Sequence, residues 1–449
     1  MSEDIESAVT KLCADQVGGS CYDPLQSSYA SMFNDELWEL DEIMELSEIQ
    51  NVHEHEISVD NNEDFNSKLK ELSNHSIESG ERIRLKVRRS CIWEDTVAKM
   101  KRVRREGLSG LVTVQFIGEP AVDEGGPRKE FFYLVHKHMQ QVSGLFEGSY
   151  RSRSFTHNVM ALQRDEYIIY GIISALSLLQ GSPGPTMFSV PIVDYIVHGK
   201  LEAVSASVSD LPTGKVRSKL EELEAINDPV KFKQEASFNT PFRFEAGYTK
   251  PVVSFENKAE LIRCICLHYL VISTLPEIDQ FIEGLKTSGV LEFIRNNPNQ
   301  SRKLLQLNED QRLTAEIVDE LFHFSFSEGS NKRTSEEAIA FNFTHYLEDI
   351  AAGEITTTIL DPETDGITTC KVGLEHILQF VTGCPIVPAT GFDTNLTCMF
   401  DHVDCDKKLT VNTCSCTLNF PVSELLKDYQ SFKNEFTECI FSSPGFGKV

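Results

Sequence analysis

Acidic residues are concentrated at one end of this 449-residue chain, and that segregation limits which part of it can form a compact core. Residues 1–80 contain 19 Asp and Glu against 3 Lys and no Arg, which places −16 of the formal net charge of −26 there. Like charges at this density repel one another and favour an open chain. We therefore expect residues 1–80 to be an acidic, largely disordered segment, with one short helix in "NDELWELDEIMELSEI".

The composition of the whole chain limits the classes of partner and the cellular compartment that we expect for the protein. A net charge of −26 would repel DNA and RNA, so we expect no nucleic-acid partner. The sequence shows no uninterrupted run of about 18 apolar residues, so we expect no membrane partner either. The first residues lack the features of a signal peptide, and twelve cysteines are too few for a disulfide scaffold of this length. We therefore expect the protein in the cytoplasm, with the nucleus as a second compartment.

The pattern changes near residue 81, where a folded domain is predicted to begin. "ERIRLKVRRS" alternates apolar and basic residues as a strand with one solvated face does, and "GLVTVQFIGE" predicts a second strand. "PRKEFFYLVHKHMQQV" predicts a helix with Pro127 in its first turn. His136 and His138 on this helix are predicted to be surface or core residues, because no third metal ligand lies near them in the sequence.

Residues 160–325 are predicted to be mostly helical, and a polar stretch then interrupts the hydrophobic pattern. "SEGSNKRTSEEA" has the composition of a linker, so we predict a domain boundary near residue 333 and divide the chain into residues 1–80, 81–333 and 334–449. Beyond the boundary, "LEHILQFVTG" predicts a helix that Gly383 ends. "SELLKDYQSFKNEFTECIF" predicts one long helix with Ser423 as its N-cap.

Four thiols near the C-terminus are the main candidates for chemistry, because the chain lacks the GxSxG, GxxxxGK[ST], HExxH and GxGxxG signatures. These four are Cys398, Cys405, Cys414 and Cys416. Four thiolates could hold a structural zinc ion, but no CxxC pair is present, so we predict no metal site. The other interpretation is a nucleophilic thiol, which needs exposure and a stabilised thiolate.

Several segments resemble the HECT-type ubiquitin ligases. "KLTVNTCSCTLNFP" resembles the active-site loop of that family, and "LQFVTGCPIVPATGF" resembles the segment that precedes it. "VTVQFIGEPAVDEGGPRKEFF" resembles the opening of the first lobe, and "GFGKV" places Phe446 four residues from the end, where the family has a phenylalanine. Together these segments bracket residues 85–449. The first-lobe matches are Gly118, Glu119, Asp123, Gly125, Gly126, Glu130 and Phe131.

The resemblance implies an α+β fold of two lobes. A larger, mostly helical N-lobe would occupy residues 81–333, and a smaller α/β C-lobe would occupy residues 334–449 with the catalytic cysteine. The acidic N-terminal segment would precede both lobes. A hinge near residue 333 would let the C-lobe reach one partner after the other.

The resemblance also implies a mechanism. Cys414 would accept ubiquitin from a conjugating enzyme as a thioester and pass it to a lysine of an unknown protein substrate. Thr413 is its family neighbour, and Phe446 would assist transfer. A thioester is exchanged for a thioester, so no cofactor and no metal are expected. The nearby residues that could act as general base are His402, Asp404 and Asp406.

Departures from the family pattern motivate a second hypothesis. Lys408 and Leu409 replace a Leu-Pro pair at the start of the loop, and Val411 replaces a small residue. In the first lobe, Ala121 and Lys129 replace a usual glycine and arginine. A HECT-like module that binds ubiquitin or a conjugating enzyme but transfers poorly would tolerate these changes. A cysteine protease is disfavoured because no histidine follows Cys414 in the chain.

Overall fold

The computed structural model describes residues 59–78, 80–103, 110–119, 125–238, 240–250, 253–307, 313–329, 331–360, 367–389, 391–392, 394–403 and 408–442. Several predictions concern residues outside these ranges, namely the helix in residues 34–49 and the roles of Asp404, Asp406 and Phe446. Helices and strands are mixed along the described chain, which confirms the α+β class.

The elements from residue 59 to residue 301 are mainly helical, as predicted. They are α1 (Val59–Glu78), β1 (Ile83–Val87), α2 (Ile92–Val103), β2 (Val112–Phe116), α3 (Gly126–Gln141), β3 (Phe146–Ser149), β4 (Ser152–Phe155), α4 (Val159–Gln163), α5 (Glu166–Leu179), α6 (Val190–His198), α7 (Lys215–Ala225), α8 (Pro229–Phe238), α9 (Thr240–Glu245), α10 (Lys258–Leu270), α11 (Leu275–Leu285), α12 (Val290–Asn296) and α13 (Pro298–Ser301).

The strands β1 and β2 lie where the alternation of apolar residues predicted them. They pair in parallel, with Ile83 opposite Val112, and α2 makes the crossover between them. The apolar side chains of β1 are buried, whereas Arg84 and Lys86 are exposed on its other face. The predicted helix with Pro127 in its first turn is α3.

Helix α1 shows that order begins earlier than predicted. Residues 59–78 belong to the segment predicted to be of low order, yet Phe65 and Leu69 are buried in the core. The Phe65 ring lies 5.1 Å from the Phe293 ring, centroid to centroid. Charged residues such as Asp64 and Lys68 occupy the exposed face, so the acidic composition concealed an amphipathic helix.

The centre of the first core is the pair of helices α5 and α11. All fourteen residues of α5 are buried, which its apolar sequence "EYIIYGIISALSLL" allows on every face. The two backbones meet at Gly171 and Gly284. A β-carbon at Gly171 would overlap the carbonyl oxygen of Phe281, and one at Gly284 would overlap that of Ile168. Only glycine at both positions permits this approach.

The elements from residue 315 onward combine strands with long helices. They are α14 (Ala315–Leu321), β5 (Phe322–Phe324), α15 (Lys332–Ala351), β6 (Thr356–Leu360), β7 (Ile367–Lys371), α16 (Leu374–Thr382), β8 (Leu396–Asp401), β9 (Thr410–Asn412), β10 (Thr417–Pro421), α17 (Glu424–Lys427) and α18 (Tyr429–Ser442). Helix α16 ends as predicted, with Gly383 in the left-handed conformation.

A four-stranded sheet organises this second part in the order β5-β8-β10-β9. Strand β8 pairs in parallel with β5 and β10, and β9 pairs with β10 in the antiparallel direction. Aromatic rings from α15, β10 and α18 pack beside the sheet. The Phe343, Phe420 and Phe436 rings are fully buried and lie about 6 Å from one another.

The last predicted helix is interrupted at Asp428. Ser423 is the N-cap of the short helix α17, as predicted, and its hydroxyl accepts a hydrogen bond from the Leu426 amide. Asp428 then adopts an extended conformation and accepts a hydrogen bond from the amide of Ser431 in the first turn of α18. Leu425, which lies before this break, is 49% exposed.

Among the residues that the structure describes, one apolar stretch is long enough, by length and composition alone, to cross a membrane. It covers Phe255–Leu285. In the structure it contains two separate helices, α10 and α11, joined through a short 3₁₀ turn, and the side chains of Leu261, Ile265 and Phe281 lie in the first core. This packing accounts for its hydrophobicity.

Buried apolar side chains form two separate cores. The first contains residues from Phe65 to Leu305, and the second contains residues from Ala315 to Phe441. Helix α14 and strand β5 precede residue 333 but contribute side chains to the second core. The boundary and hinge near residue 333 and the bilobal arrangement remain predictions.

Gly284→Ala should destabilise the first core. A helical Gly→Ala change can gain up to about 1 kcal/mol of propensity, but overlap with a backbone atom that cannot move aside costs about 1–3 kcal/mol. We expect a lower urea midpoint, followed through the fluorescence of buried Trp93 in a Trp38→Phe background. Gly214→Ala is the control, because a β-carbon there would meet open space. Equal midpoints for the two variants would contradict the prediction.

Candidate functional site

The segment predicted to carry the reactive thiol forms a four-residue hairpin loop. Asn412, the last residue of β9, pairs with Thr417, the first residue of β10. The loop between them consists of Thr413, Cys414, Ser415 and Cys416. Cys414 is half-buried near the tip of the loop.

The side chain of Asn412 holds this loop from its base. Its Oδ1 accepts hydrogen bonds from the backbone amides of Cys414, at 3.0 Å, and Ser415, at 3.2 Å. This arrangement is an Asx turn, in which a side-chain carbonyl stands in for a backbone carbonyl. Ser415 adds a contact between its hydroxyl and that of Thr417, at 2.9 Å.

Cys416 closes the loop and anchors it to the sheet. Its φ of 50° is in the left-handed region, which non-glycine residues seldom adopt. Its carbonyl accepts a hydrogen bond from the Thr397 amide at 3.0 Å, and its sulfur lies 3.7 Å from the Thr413 carbonyl oxygen. The side chain is fully buried, as expected for a structural cysteine beside an exposed one.

A lysine from the first part of the chain reaches the same loop. Lys129, in the first turns of α3, is buried, and its ammonium group lies 4.0 Å from the sulfur of Cys416. The ammonium also lies 5.7 Å from the centroid of the Phe392 ring. Lys129 was noted in the sequence only as a departure from a usual arginine. The structure places it between the two cores, against the back of the hairpin loop.

Burial separates Cys414 from the other thiols of the second core. Among the described residues from 315 onward, every other cysteine is buried. Burial raises the pKa of Cys384 to about 12 and that of Cys439 to about 11, and it also raises the pKa of Cys370 and Cys398. These four thiols therefore stay protonated near neutral pH and cannot act as nucleophiles.

A zinc site was considered for the C-terminal thiols. Within the ranges that the structure describes, no three Cys, His, Asp or Glu residues are grouped so that they could hold a metal ion. His136 also serves another purpose, because its Nδ1 is 3.0 Å from the Tyr170 hydroxyl. Burial lowers the pKa of His136 to about 3, so it stays neutral.

His402, a candidate general base, pairs with a buried carboxylate. Its Nε2 lies 2.6 Å from Oε1 of Glu336 on α15. Glu336 also accepts hydrogen bonds from the amide and the hydroxyl of Ser327, at 2.7 Å and 2.5 Å. Burial raises the pKa of Glu336, but the hydrogen bonds from Ser327 and His402 outweigh that effect and hold the pKa below its ordinary value.

This cluster joins three separate parts of the second core, and we call it the Glu336 clamp. It ties the segment after β5, which contains Ser327, to the start of α15 and to His402 at the end of β8. The general-base role of His402 remains a prediction. In the structure the His402 side chain helps to hold the segments of the Glu336 clamp together.

Sequence reasoning missed three residues that shape this site: Asn412, Lys129 as a contact of the loop, and Glu336. Asn412 had a detectable signal, because an Asn directly before a tight loop often forms an Asx turn with the amide two residues further on. Glu336 and Lys129 had none. Their roles come from contacts with residues 66 and 287 positions away in the chain.

Comparison with known proteins gives the class to which a chain with this α+β fold and this half-buried Cys414 is similar. No family model matches the chain. Curated relatives are E3 ubiquitin-protein ligases, which confirms the resemblance to HECT-type ubiquitin ligases.

The G2/M phase-specific E3 ubiquitin-protein ligase of Gallus gallus is 28% identical over 314 residues, which is 70% of this chain and 38% of that protein. The protein of the same name from Homo sapiens is 26% identical over 353 residues, 77% of this chain and 45% of the relative. The E3 ubiquitin-protein ligase UPL2 of Arabidopsis thaliana is 22% identical over 69% of this chain and 8% of its own length. The chain thus matches less than half the length of each of these relatives.

Glu336→Gln should weaken the clamp in a pH-dependent way. A carboxylate whose pKa is lowered on folding stabilises the protein above its unfolded pKa, about 4.3 for glutamate, and that stability is lost as the pH falls through the folded value. Near neutral pH we expect the variant to lose about 1–3 kcal/mol. The difference from the wild type should shrink as the pH falls below the folded pKa.

Thermal unfolding followed by circular dichroism at several pH values tests this expectation. Glu337→Gln is the matched control, because Glu337 is exposed and pairs with Arg333 only at the surface. A loss of stability that is the same at acidic and neutral pH would show that shape, not charge, is what Glu336 contributes.

Proposed function

We propose that this protein is a ubiquitin-protein ligase that accepts ubiquitin from a conjugating enzyme as a thioester on Cys414 and transfers it to a substrate lysine. One observation carries the proposal: the loop with the family's Thr-Cys pair is a hairpin whose Cys414 is half-exposed, while the other described thiols of the second core are buried. The curated relatives support the ligase role.

In this proposal the first step is an exchange between two thioesters. The Cys414 thiolate attacks the carbonyl carbon that joins ubiquitin to the conjugating enzyme. A new carbon–sulfur bond forms, the old one breaks, and the conjugating enzyme leaves as a thiolate. Because the bond made and the bond broken are of the same kind, catalysis needs an available thiolate and correct alignment more than a driving force.

The second step transfers ubiquitin to an amine. A neutral lysine side chain of the substrate attacks the Cys414 thioester, an amide bond forms, and Cys414 leaves as a thiolate. The amine must lose its proton, so a base is needed near the loop. Thr413 at the loop and Phe446 at the C-terminus remain proposed participants on the strength of the resemblance.

The contact between Lys129 and Cys416 lies on the buried side of the hairpin loop. Lys129 and the Phe392 ring lie on the side where Cys416 is buried. Partners could therefore reach Cys414 without displacing Cys416 from the core.

We expect a thiol-sensitive adduct when the purified protein is mixed with ubiquitin-charged conjugating enzymes and run on a non-reducing gel. Cys414→Ser should abolish the adduct. Cys416→Ser is the matched control two residues away, and it should keep the adduct because Cys416 is buried and serves the loop only structurally.

Loss of the adduct in Cys416→Ser alone would move the nucleophile to that residue and reject the assignment to Cys414. Folded wild-type protein that forms no adduct with any of several conjugating enzymes would instead favour a HECT-like module that binds without efficient transfer. Circular dichroism of each variant shows whether it is folded.

A further inference from the structure

The Asn412 carboxamide has a fixed orientation and an uncommitted donor. Backbone amides of Cys414 and Ser415 both donate to it, so the atom that they contact must be the acceptor Oδ1. The Nδ2 group therefore lies on the other side of the carboxamide. Within the described chain Nδ2 contacts no acceptor, and Asn412 is exposed to solvent.

Resting on the function proposed above, we propose that Asn412 is a catalytic residue whose Nδ2 donates a hydrogen bond to the carbonyl oxygen of the ubiquitin thioester at Cys414. Oδ1 holds the loop, and Nδ2 serves the reaction. One side chain thus links the shape of the loop to stabilisation of the transition state.

The chemistry of both transfer steps requires such a donor. When the nucleophile attacks the thioester carbon, the carbon–oxygen double bond becomes a single bond and the oxygen takes the negative charge. When the tetrahedral intermediate collapses, the double bond forms again and the leaving sulfur takes the electron pair. A fixed donor aimed at that oxygen stabilises the intermediate, and side-chain amides are among the groups that fill this role.

Two backbone amides of the loop cannot easily supply this donor. Those of Cys414 and Ser415 already donate to Oδ1 of Asn412. Using either amide for the oxyanion would break the Asx turn that holds the loop. The Nδ2 group needs no such rearrangement, because the same two hydrogen bonds that occupy the amides also fix its position beside the backbone of Cys414.

The position of Asn412 makes the proposal testable by substitution. Its side chain is exposed, so replacing it removes no packing from the core. Asn412→Asp keeps an acceptor for the two backbone amides but replaces the donor with an oxygen. Asn412→Ala removes both acceptor and donor. Asn434, which is also exposed and lies on α18, provides the matched controls Asn434→Asp and Asn434→Ala.

The experiment is single-turnover transfer of ubiquitin from a charged conjugating enzyme to the full chain, over a range of pH. Removing an oxyanion donor typically slows an acyl transfer by about 100-fold or more. We expect a loss of this order in both Asn412 variants at every pH, and wild-type rates in both Asn434 variants. Alkylation of Cys414 by iodoacetamide, followed by mass spectrometry, is measured on the same proteins.

Alkylation distinguishes a residue that donates to the oxyanion from one that is purely structural. The reaction uses the Cys414 thiolate but forms no oxyanion, so loss of an oxyanion donor should not slow it. The proposal expects alkylation of Asn412→Ala to stay within about threefold of the wild type while transfer falls by about 100-fold. Alkylation that slows as much as transfer would overturn the proposal, because Asn412 would then act only on the thiol's placement or reactivity.

Three other results would also overturn it. Recovery of the wild-type transfer rate by Asn412→Asp at high pH would show that its charge acts only on the thiolate population. Both Asn412 variants could transfer at the wild-type rate. Wild-type protein that forms no adduct would refute the proposed function itself, and the proposal with it, and that failure is recognised before any Asn412 variant is tested.

Discussion

The hairpin loop that contains Cys414 depends on strand β10 being paired on both of its sides. Strand β8 holds one edge and β9 the other, and the fully buried side chains of Leu418 and Phe420 fix β10 against the second core. A strand pinned in this way has one allowed register, because a shift by one residue would turn its apolar side chains to solvent. The register of β10 fixes the positions of the four loop residues. As a result Cys416 is buried and Cys414 is half-exposed.

The described thiols of the second core differ in their burial. The apolar core that stabilises the sheet also raises the pKa of Cys384 and Cys439 far above neutrality. Cys414 is only half-buried, because it lies on a loop and not within a strand. The position of Cys414 is therefore a consequence of sheet geometry, because the hairpin loop carries its side chain to the edge of a core in which the thiols of Cys370, Cys384, Cys398 and Cys439 are buried.

Contacts between segments far apart in the sequence add further fixed points to the structure around the hairpin. Lys129 approaches the loop from the first part of the chain, and the Glu336 clamp ties the segment before α15 to His402. In both cases the charged side chain, Lys129 or Glu336, is buried. A buried charge is stable only with partners in good geometry. Such groups therefore fix the relative positions of the segments that they join more strictly than apolar contacts do.

The sequence by itself determined the elements whose signals are local. Alternation of apolar residues predicted β1 and β2, and glycine at the end of an apolar helix predicted the stop at Gly383. The resemblance singled out Cys414, whose role remains a prediction. Order in α1 and the break at Asp428 were missed because a few buried side chains and one capping carboxylate outweighed composition and periodicity. Only the tertiary structure decided which thiols are buried, because burial and charge pairing arise from residues far apart in the chain, and no local pattern records them.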